Sequence, residues 1–354
     1  MAVKILSTVF TVGKFLALTP SSLENRNPTV FQKLYLLLMI LFYAIGVVYS
    51  LHARKTFFSS LSTISFILRL MNDVTLYAHS CYSVTVMMLF KRTQWFALTD
   101  KLKQLDAAGS DRHCHLVFFL THLAYIASLA LLTYTWMDSI SVEFVKMFLV
   151  EYLQMYSLFF YMLFGYVVLT TLFKKYRRQK LQLRNKKQMH KQQLKKVRCN
   201  LLLLREIVNV FNEIFGWEIL LSMMFIVLRS LLLLTVSFQS SLPNFKEETT
   251  GTSINFVANI NMLLLFWIGF FGIAVMCDFV SKEFDKILTV ACEMETSEVV
   301  VDGVFDNGTF LSSVLNYRPN FTAARFCSIN RSIIFSVLNS FTTFLLVIVQ
   351  LRLN

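Results

Sequence analysis

The sequence is poor in charge. Only 16% of its 354 residues are Asp, Glu, Lys or Arg, while 56% are hydrophobic and 35 are Phe. Soluble domains carry roughly 25% charged residues. A water-soluble chain of this make-up would expose large apolar patches, so the composition excludes an ordinary soluble domain and points to an integral membrane protein. Proline is scarce too. The four are Pro20, Pro28, Pro243 and Pro319, and none sits inside a run long enough to span a bilayer. Proline-broken helices are therefore not expected.

Other absences narrow the class further. There is no HExxH, no GxSxG, no Gly-rich phosphate loop and no cluster of carboxylates on one helix face, so no enzyme, cofactor or metal is expected. The six cysteines have no zinc-ligand spacing. The six histidines are scattered, and His79 and His122 read as hydrogen-bonded interior residues. No signal peptide is evident: Lys14 interrupts the first apolar run and no small-residue cleavage site follows. Met1–Pro20 reads as an amphipathic segment at the membrane surface. There is no internal repeat, which speaks against a transporter built from inverted halves.

Seven segments are long and apolar enough to span: Leu34–His52, Leu68–Phe90, Leu116–Met137, Phe144–Phe173, Phe215–Phe238, Asn255–Cys277 and Arg331–Leu353. Their length rules out barrel strands, and backbone in lipid must be internally bonded, so all seven are expected to be helices. The expected fold is all-α, a single seven-helix transmembrane domain over 1–354.

The net charge of +13 does not mark a nucleic-acid binder, since no zinc-finger or RNA-binding signature accompanies it. It marks orientation. Residues 174–198 hold twelve Lys and Arg and no acid, and residues 91–115 hold five more. Basic loops stay cytoplasmic, which places the N-terminus inside and the end of the seventh span outside. All six cysteines then avoid the outer loops, so no structural disulfide is expected. The sequons at Asn307, Asn320 and Asn330 fall inside and read as chance.

Helical periodicity continues below the membrane, with Leu201, Leu204, Ile207, Val208, Phe211 and Ile214 on one face. Extensions over about 174–214 and 278–330 would form an intracellular bundle, or lie on lipid head groups. The basic stretch is either a lipid-attracted surface or a docking site for a cytoplasmic partner.

Polar residues inside spans are costly in lipid and face an interior or a water path. In the outer halves Tyr77, Tyr134, Glu151, Gln154, Arg229, Asn259 and Trp267 are candidate ligand-binding residues. The last span carries Ser332, Ser336, Asn339, Ser340, Thr343 and Gln350 on one stripe, with Val347 between the last two. That stripe fits a pore wall or a close helix–helix contact. Copies around an axis would stack a glutamine ring beside Val347 and Leu351, an apolar constriction able to gate by dewetting.

These residues also carry a resemblance. "FTAARFCSINRSIIFSVLNSFTTFLLVIVQL", Phe321 to Leu351, resembles the C-terminal signature of insect gustatory receptors: Thr-Tyr, five apolar residues, then Gln-Phe. Thr343 and Gln350 keep the spacing, while Phe344 and Leu351 depart from it. The resemblance implies a ligand-gated, nonselective cation channel of the sensory-neuron plasma membrane that depolarises a taste neuron when a small-molecule tastant binds. It also implies a tetramer of identical or related subunits in membrane lipid, with about 331–353 lining the pore at Ser336, Ser340, Thr343, Val347, Gln350 and Leu351. The alternative is a G-protein-coupled seven-helix receptor using the basic loop for coupling. Against it stand the inside N-terminus, Asp111-Arg112 lying before rather than after the third span, and the proline-free helices.

Overall fold

The computed structural model describes residues 2–15, 18–19, 29–59, 61–105, 112–141, 143–184, 191–240, 249–297 and 307–353. They are almost entirely helical: α1 Ala2–Phe15, α2 Val30–Ala53, α3 Lys55–Ser59, α4 Thr63–Cys81, α5 Arg92–Gln104, α6 Arg112–Ile140, α7 Glu143–Arg184, α8 Lys191–Ser240, α9 Thr249–Ser297, α10 Asn307–Leu315 and α11 Arg331–Leu353. A two-stranded hairpin, β1 Thr322–Ala323 and β2 Cys327–Ser328, precedes α11. The protein is a polytopic all-α membrane protein. All seven expected spans are helices. Five of them, on α2, α6, α7, α8 and α9, are both long and strongly apolar.

Local signals in the sequence set the helix starts. Thr29 accepts from the Gln32 amide while the Gln32 side chain accepts from the Thr29 amide, a capping box that opens α2. Ser62 caps α4 in the same sense through the Ser65 amide. α6 turns into α7 through Ser141, which takes a left-handed φ of 59° and donates its amide to Met137.

α7 is the axis of the bundle. Phe159 to Gly165 are buried without a break, so α7 has no lipid face along that stretch. α2 and α6 do the opposite and present Val30, Phe31, Ile45, Leu123 and Ile126 outward, as helices facing acyl chains do. α7, α8 and α9 contain 42, 50 and 49 residues. At 1.5 Å per residue these run about 63 to 75 Å, roughly twice a bilayer core. The end where residues 185–190 join α7 to α8 is called the basic end below, and the other the far end.

Two expectations change. The N-terminal segment is a helix, but it does not lie free on a surface. Phe10 packs edge-on to Trp95 (ring centroids 5.6 Å) and Phe164 (5.8 Å), and Trp95 stacks on Phe164 at 5.1 Å. Burying these rings gives α1 and α5 more than head groups would. The second span is not one α-helix either. After Cys81 it winds as a π-helix over Tyr82–Phe90. The Ser80 and Ser83 hydroxyls donate to the Leu76 and His79 carbonyls across this transition, competing with the regular ladder.

Candidate functional site

At the far end, buried charges from four helices converge. Arg54, which ends α2, lies 3.0 Å from Asp73 of α4 and 3.5 Å from Glu151 of α7. Arg69 of α4 reaches Asp73 one turn on, at 3.4 Å, and also bonds Glu151. Arg229 of α8 bonds Glu151 at 3.0 Å through Nη1 and donates from Nη2 to Asn259 Oδ1 of α9, also at 3.0 Å. Arg54, Arg69, Asp73 and Glu151 are all under 9% exposed. The Phe148 ring sits 5.5 Å from the Arg54 guanidinium and 5.6 Å from that of Arg69. One carboxylate, Glu151, thus ties three helices to α7.

A cavity of about 110 Å³ borders this cluster. Arg69, Arg229 and Asn259 form its polar wall, and Trp136, Phe148 and Tyr152 its aromatic wall. A few placed polar groups among rings is the make-up of a small-molecule site. A second, mostly apolar groove of about 430 Å³ lies between α6 and α7 beside Tyr125, Val145, Tyr152 and Tyr156. Tyr152 lines both.

Of the seven ligand candidates, Glu151, Arg229 and Asn259 meet here. Trp267 is one step removed: its indole donates to Ser230 Oγ at 3.1 Å, the residue after Arg229. Gln154 is buried one turn below Glu151. Tyr77 packs instead against the Leu36, Tyr43, Val84 and Val150 cluster, and Tyr134 is 73% exposed on α6, so neither joins the cavity. Sequence reading missed Arg54 and Arg69. The signal was present: Arg69 and Asp73 are four apart on a helix, and an arginine inside a span is a functional flag by itself.

The second candidate feature is α11. Ile333 and Val337 are buried against the bundle, and Phe341, Leu345 and Val349 continue that row half-buried along the helix. Ser336, Ser340, Thr343, Val347 and Gln350 are exposed. At 100° per residue the mean directions of the two rows lie about 140° apart, so the polar stripe is turned away from the chain's own bundle. Ser336 and Thr343 donate to Ser332 and Asn339 carbonyls one turn back, which leaves their oxygens able to accept from water. The Leu351 side chain lies outside the described residues.

α11 is held at its base. Asn212 of α8 donates to the Asn320 carbonyl at 2.7 Å and accepts from the Thr322 amide at 3.1 Å, so one amide clamps the hairpin. Arg331 pairs with Asp278 of α9 at 2.9 Å. Lys180 of α7 pairs with Glu283 of α9, which Lys286 also reaches at 3.2 Å. Burial pushes the Glu283 carboxyl up, but these two lysines outweigh it and hold it below the usual carboxylate range. Nearer the bundle centre, His79 and Glu218 meet at 2.5 Å, both fully enclosed, and Ser83 donates to Glu218 at 2.8 Å. His79 is interior, as expected, but it meets Glu218 as a close charge contact and neither ring nitrogen completes a hydrogen bond. His122 bonds the Phe118 carbonyl at 2.9 Å. Among the described residues no group of three His, Cys, Asp or Glu is placed to hold a metal.

Known proteins match this architecture. The structure resembles that of the insect olfactory receptor OR5 from Machilis hrabei, with a TM-score of 0.64 over 99% of both chains at 12% identity. The same receptor in complex with eugenol gives 0.61 over the same share, also at 12% identity. No curated protein matches the sequence. The sequence profile described as 7tm Chemosensory receptor covers residues 6–354, nearly the entire length, and the chain belongs to that chemosensory receptor family.

Proposed function

We propose that this chemosensory receptor is a gustatory receptor working as a ligand-gated, nonselective cation channel. Opened by a small-molecule tastant, it depolarises the taste neuron whose plasma membrane holds it. The basic end is cytoplasmic, the lower parts of α7, α8, α9 and α11 form an anchor there, and the chain is one domain. Four copies, identical or related, surround a pore lined by α11, with membrane lipid against α2, α6 and the groove beside Tyr125. The observation that carries this reading is the direction of the α11 stripe. A polar stripe turned about 140° from its own bundle has water or another copy to face, and Gln350 belongs in neither lipid nor a small-residue contact. The far-end cavity is the ligand site. That the related receptor from Machilis hrabei is described with eugenol supports a small organic ligand. Ligand acts by binding the open arrangement better than the closed one. The family match leaves the G-protein-coupled alternative without support.

The test is electrical. Purified protein in planar bilayers, screened with a tastant panel chosen by calcium imaging, should pass ligand-dependent single-channel currents, and Gln350→Ala should change their conductance. Silent bilayers with a ligand that is active in cells would overturn the channel.

A further inference from the structure

Among the described residues the far-end cluster does not balance. Arg54, Arg69 and Arg229 bring three positive charges, Asp73 and Glu151 two negative ones, leaving +1. A guanidinium does not give up its proton in a protein, so the excess persists. Among the described residues no third carboxylate joins the three arginines. Asp138, near Trp136 in sequence, is exposed, and Glu143 is engaged by Lys146 at 2.6 Å. Phe58 and Phe148 face the guanidiniums, but a ring quadrupole brings no charge. The pairing inside the cluster is loose: Arg54 Nη1 lies 3.5 Å from Glu151 and Arg69 Nε 3.4 Å from Asp73 without completing hydrogen bonds, and the Asp73 oxygens are likewise unmatched. An uncompensated buried charge is costly, and this one stands at the edge of a cavity.

We propose that the cavity binds a small organic monocarboxylate, its head on Arg69 and Arg229 and its apolar body against Trp136 and Phe148. The inference rests on the cavity being the ligand site of the proposed channel. Arginine presents forked donors that match a carboxylate, and the anion would complete the charge balance that Asp73 and Glu151 leave open. Size follows from volume. A cavity of roughly 150 Å³ holds one benzene, so the enclosed 110 Å³ suits a short chain, or a carboxylate with its ring reaching into the open mouth. Chloride has the charge but not the body, and the aromatic wall favours the organic anion.

The experiment uses the full chain in lipid nanodiscs. Benzoate and its neutral counterpart benzamide are titrated at fixed chloride, reading the thermal shift and the fluorescence of the tryptophans, of which Trp136 is in the wall. Benzoate is expected to bind at least about tenfold more tightly than benzamide. The decisive variant is Asn259→Asp. It keeps the shape and the acceptor for Arg229, gives up the bond that Asn259 Nδ2 donates to the Asn255 carbonyl, and supplies the third carboxylate, so benzoate should weaken at least about tenfold. Leu233→Phe, which fills part of the cavity without changing charge, should weaken benzoate as well. Equal binding of benzoate and benzamide, benzoate binding unmoved by Asn259→Asp, or chloride alone reproducing the shift at equal concentration would each overturn the proposal. Currents evoked by a neutral tastant in a chain that ignores benzoate would overturn it and keep the channel. Benzoate bound in silent bilayers would do the reverse.

Discussion

Gly216 is the place where the helix that carries Arg229 touches the base of α11. A Cβ built there would stand 2.8 Å from the Ala324 amide nitrogen and 3.2 Å from the Thr322 carbonyl oxygen. Both are main chain, in a hairpin whose turn residues Ala324 and Arg325 already hold positive φ, so neither can rotate aside. In Gly216→Ala the hairpin must lift. Overpacking of this kind costs about 1–3 kcal/mol. Lifting also strains the two Asn212 hydrogen bonds, each worth about 1 kcal/mol. Alanine returns about 1 kcal/mol through helix propensity, so the net loss is about 2–4 kcal/mol. Gly272 is the internal control. It lies in α9, and its Cβ would meet only the Tyr166 ring at 3.5 Å, an ordinary contact. Gly272→Ala should therefore gain up to about 1 kcal/mol. Thermal unfolding of the full chain in detergent, followed by tryptophan fluorescence, reads the contrast directly because Trp217 packs on Phe326 of the hairpin at 5.8 Å. If Gly216→Ala melts no lower than Gly272→Ala, the close approach of hairpin and α8 is not what holds α11 in place.

Two further outcomes concern buried charge. Glu151→Gln removes the carboxylate shared by three arginines and should cost about 3–5 kcal/mol. Adding Arg229→Gln brings the cluster back to +1, so the double variant should lose less in a melt than the two single losses summed, and strict additivity would show that the residues do not act as one group. Glu283 gives a pH dependence. Its carboxyl is held below the unfolded value near 4.3, so its contribution is complete above that pH and is lost as pH falls through the lower folded value. Stability at neutral pH should be flat with respect to this group, and Glu283→Gln should lower the neutral plateau and flatten the acid limb of a pH–melt curve.

Much of this was legible in the chain because lipid is an undemanding solvent to read. Apolar runs of fixed length reported the spans, and lysine counts reported which loops share a side. The stripe on α11 was readable because a 3.6-residue period survives without neighbours. What escaped reading needed contacts between distant segments. Trp95 lies in a stretch that sequence marks only as a basic loop, yet it stacks on Phe164 in the core. The π-helical turn after Cys81 depends on local competition between hydroxyl and backbone bonds that hydropathy does not register. Arg69 was passed over because a span was sought by its apolar residues, and Asn212 because its two bonds reach residues more than a hundred positions away.

The charges on α4 bear on how the bundle and its sites depend on one another. Arg69 and Asp73 make α4 a poor membrane helix by itself, and it is less apolar than its neighbours α2 and α6. A chain seeking only stability would place leucines there. The charges are tolerable because Glu151 and Arg229 meet them when α7 and α8 dock. α8 then runs from Arg229 to Gly216, thirteen residues or about 20 Å, and Gly216 lies against the hairpin that leads into α11. One helix thus touches both the cavity and the base of the proposed pore wall. In the proposed channel an anion completing the far-end cluster would alter the pull on Arg229 at one end of a rigid rod, and the other end is where Asn212 holds the hairpin. The residues that look costly in α4 are, on this argument, what makes the position of α8 depend on the contents of the cavity.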